Sequence, residues 1–386
     1  MALYKGIAAN HCAHEDLIDF LNYVFGMNGH DAGFYRLLPK LYRPAFRPED
    51  YNFAVIEEGK LRAAVGAYPI ALSVMGQPLR AVGIGNVAVH PFHRGKGYMK
   101  DCMRLALGDA VRSGADFAVL GGRRQRYAYF GFEPAGVCGR FTLNRDNLRH
   151  CFGSAENTSG YTVRTLTAQD ADALAAIDAL TRSRASHPVR PADRLFDVLN
   201  TWESTVCAVY APDGAFAGYF LSGGDDVREL DAADAAHLEG VLRACHAFLG
   251  KDEIHIYVPS HHAALYDFLS DICEGCSLVH TESYNVFHYA KVVRACLYLR
   301  AQTEPLCDGS VTLEIDGFAG REKLRLAVEH GIPSVTAFDG DCDFRLTHRQ
   351  AMSVLFGLMP APRRALPAPV RSWLPLPLFV PEVDND

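Results

Sequence analysis

Gly85-Asn86-Val87-Ala88-Val89-His90-Pro91-Phe92-His93-Arg94-Gly95-Lys96-Gly97-Tyr98-Met99 changes character half-way along. Val87 and Val89 are β-branched and alternate with small Ala88, as in a half-buried strand. Pro91 has no N–H to donate and ends the ladder. Arg94-Gly95-Lys96-Gly97 then offers backbone N–H groups with few Cβ atoms in the way. From Met99 the apolar residues Met103, Ala106, Leu107 and Ala110 recur at helical spacing, and Ser113-Gly114 closes the run. A donor-rich loop at the positive end of a helix, flanked by Arg94 and Lys96, suits a pyrophosphate.

Two kinds of phosphate loop are excluded, because neither Gly-Lys-Ser/Thr nor the three-glycine dinucleotide pattern is present. The stretch resembles the loop Arg/Gln-x-x-Gly-x-Gly/Ala of the GCN5-related N-acetyltransferases, with Arg94 and Gly97 in place. Met99 departs from the last position of that pattern, a departure similar to the enhanced-intracellular-survival (Eis-like) branch. Tyr127-Ala128-Tyr129-Phe130-Gly131-Phe132 resembles the family's Tyr-x-x-apolar-Gly-Phe/Tyr segment and follows the next strand, Asp116–Leu120.

The 386 residues suggest two or three domains. At 49% hydrophobic and 22% charged they can bury large cores, and a net charge of −7 argues against nucleic acid. Neither a signal-like start nor an apolar run of membrane-spanning length is evident. Eleven cysteines in largely apolar contexts read as reduced, buried thiols of a cytoplasmic protein. Cys273-Glu274-Gly275-Cys276 lacks a second pair at zinc spacing and reads as a loop, so no metal is expected. His261-His262 reads as surface.

In chain order, Leu17, Phe20, Leu21, Val24 and Phe25 mark an amphipathic helix. Phe53–Ile56 and Leu61–Ala67 form a hairpin across Glu57-Glu58-Gly59-Lys60. A separate strand near Ile70–Val74 turns at Gly76-Gln77 into Arg80–Val89, and Phe141–Leu143 is a last strand. These make a first α/β domain, residues 1–150. Cys151–Gly160 reads as a linker. Residues 161–290 repeat the order faintly, through Tyr161–Leu166, Ala171–Leu180, Thr205–Tyr210, Ala217–Leu221, Val227–Leu230, Ala235–Leu249, Ile254–Val258 and Ala264–Leu269. Asp231–Ala236 has neither arginine nor paired glycines, so this acetyltransferase-like copy is not expected to hold CoA. Residues 291–386 show strands at Val311–Ile315, Leu324–Val328 and Phe344–Leu346, then a helix Arg349–Leu358 capped by Thr347. That order is similar to the sterol-carrier-protein fold that closes Eis-like chains. Between the prolines of Pro360–Asp386 lie Trp373, Leu374, Leu376, Leu378 and Phe379, which suggests a tail pinned to the body.

The resemblance implies tandem acetyltransferase folds of mixed α/β sheets and an acetyl-CoA-dependent N-acetyltransferase. Backbone at Val87, Ala88 and Val89 would hydrogen-bond the pantetheine arm, and Arg94, Gly95, Lys96, Gly97, Tyr98, Met99 and Lys100 would hold the pyrophosphate. Gly122 and Arg123 would touch the cofactor again. Tyr127 carries over as the general acid, and the terminal carboxylate, here that of Asp386, as the candidate base. The implied acceptor is a primary amine on an aminoglycoside-like polyamine, a peptide or a small metabolite, in a possible homo-oligomer. The alternative is a CoA-sensing, lipid-binding protein without turnover.

Overall fold

The structure, a computed structural model, describes residues 2–6, 13–27, 33–157, 159–358, 363 and 365–386. Thirteen strands form one large mixed sheet. In chain order they are β1 Ala2–Lys5, β2 Asn52–Glu57, β3 Lys60–Val74, β4 Gln77–Val89, β5 Phe117–Leu120 and β6 Glu133–Asn144. β7 Thr162–Thr165, β8 Ser186–Pro188, β9 Thr205–Tyr210, β10 Phe216–Gly223, β11 Asp226–Ala232, β12 Glu253–Pro259 and β13 Gly275–Val286 follow. A second sheet holds β14 Gly309–Asp316, β15 Arg321–Glu329, β16 Ile332–Ala337 and β17 Phe344–Thr347, in the order β16-β15-β14-β17.

The β2–β3 and β3–β4 hairpins each turn on two residues with positive φ, Glu58-Gly59 and Met75-Gly76. Such turns match the twist of the strands they join. β3 is one strand where two were expected. Pro69 is accommodated because β2 pairing ends at Gly66 and β8 pairing begins at Leu72, so this stretch has a neighbour on one side only. The helix His14–Gly26 buries Leu17, Phe20, Leu21 and Val24 against β2, β3 and β4. On the other face of β2 to β5, the helix Tyr98–Arg112 buries Cys102, Met103, Ala106, Leu107 and Ala110.

The sheet order is β1-β2-β3-β4-β5-β13-β6-β12-β11-β10-β9-β7, with β8 added on β3. β13 from the second half lies between β5 and β6, while β6 from the first half pairs with β12 along its length. The two halves have exchanged their last strands, and their sheets are one. Neither strand was expected in full. β6 extends well beyond Phe141–Leu143, with Gly136, Gly139 and Arg140 interrupting its apolar pattern. The first seven residues of β13 include Cys276, Ser277 and His280, and most of them are exposed.

Other expectations are corrected. The helix Arg145–Phe152 takes in the first residues of the expected linker, its start capped by Asn144. Ala235–His237 is a 3₁₀ turn ahead of the helix Leu238–Leu249. Of the cysteines, Cys151, Cys276 and Cys307 are exposed, since apolar sequence neighbours do not bury a residue at a helix end or on an open strand; Cys12 lies outside the described residues. His261 and His262 are half-buried: His262 Nε2 lies 3.1 Å from Asp231 Oδ1, and His261 stands against Phe379.

In the last unit, Thr347 caps the helix His348–Phe356 by accepting from the Gln350 N–H. The helix Tyr289–Thr303 buries residues in the core between the sheets. The tail joins that core: Trp373, Leu376, Leu378 and Val380 are buried, and Trp373 Nε1 donates to the Cys307 carbonyl at 2.9 Å. Among the described residues, no helix is long and apolar enough to cross a membrane.

Candidate active site

β4 and β5 run parallel only from Ala81↔Phe117 to Gly83↔Val119, and then part. From Ile84 to Val89, β4 keeps β3 on one side and, among the described residues, has no strand on the other. Asn86, with φ 42°, forms a bulge there: Gly85 faces Gly66 and Ala88 faces Ala64, so two residues of β4 span one of β3. Its side chain is held by a buried chain of donors, Asn86 Nδ2 to Asn52 Oδ1 at 2.7 Å and Asn52 Nδ2 to the Tyr68 hydroxyl at 2.9 Å. The bulge re-aims the open edge of Val87, Ala88 and Val89 toward the splay.

Beyond β4, Gly95 and Gly97 have φ of 81° and 87°, and a Cβ at either would meet nothing within 4 Å. Gly97 caps the helix Tyr98–Arg112, so the exposed turn Arg94–Gly97 presents N–H groups at a helix start. Arg94 and Lys96 are exposed beside it, and Lys100 lies 4.9 Å above the Tyr129 ring. Tyr98 departs from expectation. Its side chain is buried and its hydroxyl donates to Glu57, so only its backbone faces the loop. Met99 likewise packs against the core.

Gly122 follows β5 with φ 139°, and a Cβ on it would stand 2.7 Å from the Tyr127 ring. Tyr127 is buried against this glycine, in the core shared with the loop helix. Burial raises its phenol above the usual range, with Arg126 pulling the other way, so it is protonated at neutral pH. Arg123 begins the short helix Arg124–Tyr127 and is exposed. Arg124 is anchored on buried Glu133 at 2.7 Å.

The opposite face of the splay is acidic and comes largely from distant sequence. Leu79 and Ala81 point into the core under the helix Tyr289–Thr303; Gly83 and Gly85 continue that face along β4. Asp386 lies on them. A Cβ at Gly83 would stand 2.3 Å from Asp386 Oδ2, and one at Gly85 3.0 Å from Asp386 Cβ. Lys40 Nζ holds the tail there, donating to the Val383 and Asn385 carbonyls at 2.9 and 2.6 Å and pairing with Asp386 Oδ1 at 3.0 Å. Arg190 forks onto Asp384, and Val380 N donates to the Tyr284 hydroxyl. A cavity of about 470 Å³ opens beside Asp386, lined also by Tyr51, Tyr68 and Asp384. Sequence reasoning missed Lys40, Asn385 and Glu282, the last set against Gly121. A signal was available in Gly83-Ile84-Gly85, since alternate glycines inside a strand mark the close approach of other atoms.

Residues 8–135 match the family model described as an acetyltransferase (GNAT) domain. Over this segment the chain is similar to a GNAT acetyltransferase domain. Three solved structures are similar to the whole chain in fold. A GCN5-related N-acetyltransferase from Kribbella flavida is 22% identical, with a TM-score of 0.65 over 97% of this chain and 96% of that one. One from Anabaena variabilis is 16% identical, with a TM-score of 0.66 over 99% and 98%. Eis1 from Mycobacterium abscessus is 17% identical, with a TM-score of 0.63 over 97% and 97%. No curated protein matches the sequence.

Beside the GNAT domain, the second half repeats the splay without the loop. β11 and β12 pair only at Asp226↔His255 and Val227↔Ile256. Where the GNAT domain has its glycine turn, Asp231 is tied to Arg184 and His262, and Asp234 caps Ala236. Carboxylates at that place repel a phosphate. The cavity of about 250 Å³ at this second splay is closed on one side by Phe379 and Pro381 of the tail.

Proposed function

We propose that the protein transfers an acetyl group from acetyl-CoA to a primary amine. The observation that carries this is the splay itself. It has a donor loop and a protonated tyrosine on one face of the sheet, and a carboxylate laid on bare glycines on the other. The open edge of Val87, Ala88 and Val89 suits an extended pantetheine arm added like a strand. The N–H groups of Gly95 to Lys100, with Arg94 and Lys96, suit the pyrophosphate; Gly122 and Arg123 border the same groove. When bound, acetyl-CoA supplies an activated thioester carbonyl.

Tyr127, on the loop-helix face, gives its proton to the departing sulfur. The side chain of Asp386, on the far face, draws in the acceptor's ammonium, and the terminal carboxylate of the same residue, set over Gly85, is the candidate base. The acceptor belongs in the cavity beside Tyr51, Tyr68 and Asp386, whether it is an aminoglycoside-like polyamine, a peptide amine or a small metabolite. We read residues 161–290 as an acetyltransferase-like half without CoA, and residues 291–386 as similar to the sterol-carrier fold. A CoA-sensing, lipid-binding role without turnover leaves the pairing of Tyr127 with an opposed carboxylate unused. The test is a screen of acetyl-CoA turnover against an amine library with mass detection of products. Acetylated amines are expected; CoA binding without acetylation of any amine would overturn the reading.

A further inference from the structure

Glu282 comes from β13, the strand that the second half of the sequence inserts beside β5. It shares a face with Tyr284 and Val286, which lie in the core under the helix Tyr289–Thr303. On β5 that face continues from Val119 to Gly121, where a Cβ would stand 3.2 Å from a Glu282 carboxylate oxygen. Gly83↔Val119 is the last parallel pair, so Gly85 and Gly121 are the next positions on either lip. Asp386 covers one and Glu282 the other. Each lip therefore carries one carboxylate, on the face away from the loop helix.

The two carboxylates differ in their partners. Asp386 has Lys40 as a counter-ion, whereas among the described residues Glu282 has no ion-pair partner. The Asn385 side chain beside it favours its charged form, and among the described residues Asn385 Oδ1 is buried without a hydrogen-bond partner. Burial pushes the Glu282 carboxyl up to about 7, with Asn385 lowering it and Glu382 of the tail adding to the rise. The other titratable group facing it is the Tyr284 hydroxyl, already engaged by Val380 N; β5 and β6 present only Gly121 and Ala135.

We propose that Glu282 is the principal proton acceptor for the incoming amine, while Asp386, paired to Lys40, attracts the ammonium and holds it over the glycines. This rests on the acetyl-transfer reading. One proton passes from the ammonium to Glu282, and the freed nitrogen pair forms the C–N bond at the thioester carbon. The C–S bond breaks with its pair on sulfur, which takes the Tyr127 proton. The second proton shed by nitrogen returns to Tyr127 through solvent, and Glu282 releases its own to water.

The test uses the full chain, the best amine from the screen, and Glu282→Gln beside Glu282→Asp. Gln retains the Asn385 contact and removes basicity. It is expected to lower kcat by roughly 10²-fold, to leave CoA affinity by calorimetry unchanged, and to abolish the acid limb of the pH–rate profile near pH 7. Asp is expected to recover part of the rate with that limb in place. Glu282→Gln at wild-type kcat, or slowed with the limb intact, overturns the assignment alone. Wild-type protein that binds CoA yet acetylates nothing overturns the acetyl-transfer reading, and this one with it.

Discussion

Gly97 has its Cβ position open to the groove and a left-handed φ. Asp there adds backbone strain and a negative charge at the place proposed for the pyrophosphate. Acetyl-CoA affinity is expected to fall by on the order of 2 kcal/mol, about 30-fold in Kd; calorimetry showing no change would move the phosphate elsewhere. Tyr127→Phe keeps the ring on Gly122 and removes the donor. Turnover should drop by ~10²-fold with CoA affinity held, and a mutant at full rate with chemistry limiting would end the acid role. Glu282 also makes a statement about stability. Its carboxyl titrates near 7 in the folded chain and near 4.3 in an unfolded one, so between these values the unfolded state loses the proton first. Stability is then full at low pH, falls as pH rises through that window, and stays reduced above it, by up to about 4 kcal/mol. Glu282→Gln should therefore raise the urea midpoint at pH 8 and leave it unchanged near pH 4. A variant less stable than wild type at pH 8 would contradict this. The turn at Gly97 and the short helix ending at Tyr127 lie in local motifs, which is why this side of the proposed site could be read from the sequence. Glu282 and Lys40 could not, because each meets the site through residues far away in sequence.

At the scale of elements, the tail is held by three kinds of contact. Val383 is buried in the second half's core, Arg190 grips Asp384, and Lys40 binds two carbonyls and Asp386. Deleting residues 380–386 removes the ammonium's anion and the Asn385 partner of Glu282 together. The expected result is a lower kcat and a higher acceptor KM with normal acetyl-CoA binding; Asp386→Asn, which keeps the backbone, should raise KM more than it lowers kcat. Equal kinetics for the deletion and the full chain would remove the tail from the site. The apolar residues between its prolines announced that this tail is pinned, since so much apolar surface does not stay in water. Where it is pinned was not readable, because that depends on Lys40 and on glycines in β4. The strands divide in the same way. β2, β4 and β9 show β-branched runs bounded by turns, whereas β13 begins with exposed polar residues and is a strand because β6 and β5 lie on either side of it.

For the whole molecule, the exchange of β6 and β13 decides what can stand alone. A fragment of residues 1–150 carries the loop and Tyr127 but lacks β12 and β13, leaving one edge of β5 and both edges of β6 bare. It is expected to aggregate or remain unfolded by circular dichroism, and to be recovered when residues 151–386 are co-expressed with it. A fragment that folds and binds acetyl-CoA by itself would show the exchange to be dispensable. The doubled order of elements was legible at the level of hairpins and helices. The crossing of last strands was not, because pairing between distant strands leaves no period in either. There is a consequence for synthesis on the ribosome. The glycine loop and Tyr127 emerge first, and Glu282 arrives only with β13, near the end of the second half. A chain released before β13 therefore has the loop without the strand that borders β5, so the proposed site would be incomplete in it. The second half thus supplies a strand, and in the proposed reaction a proton acceptor, that the first half does not contain.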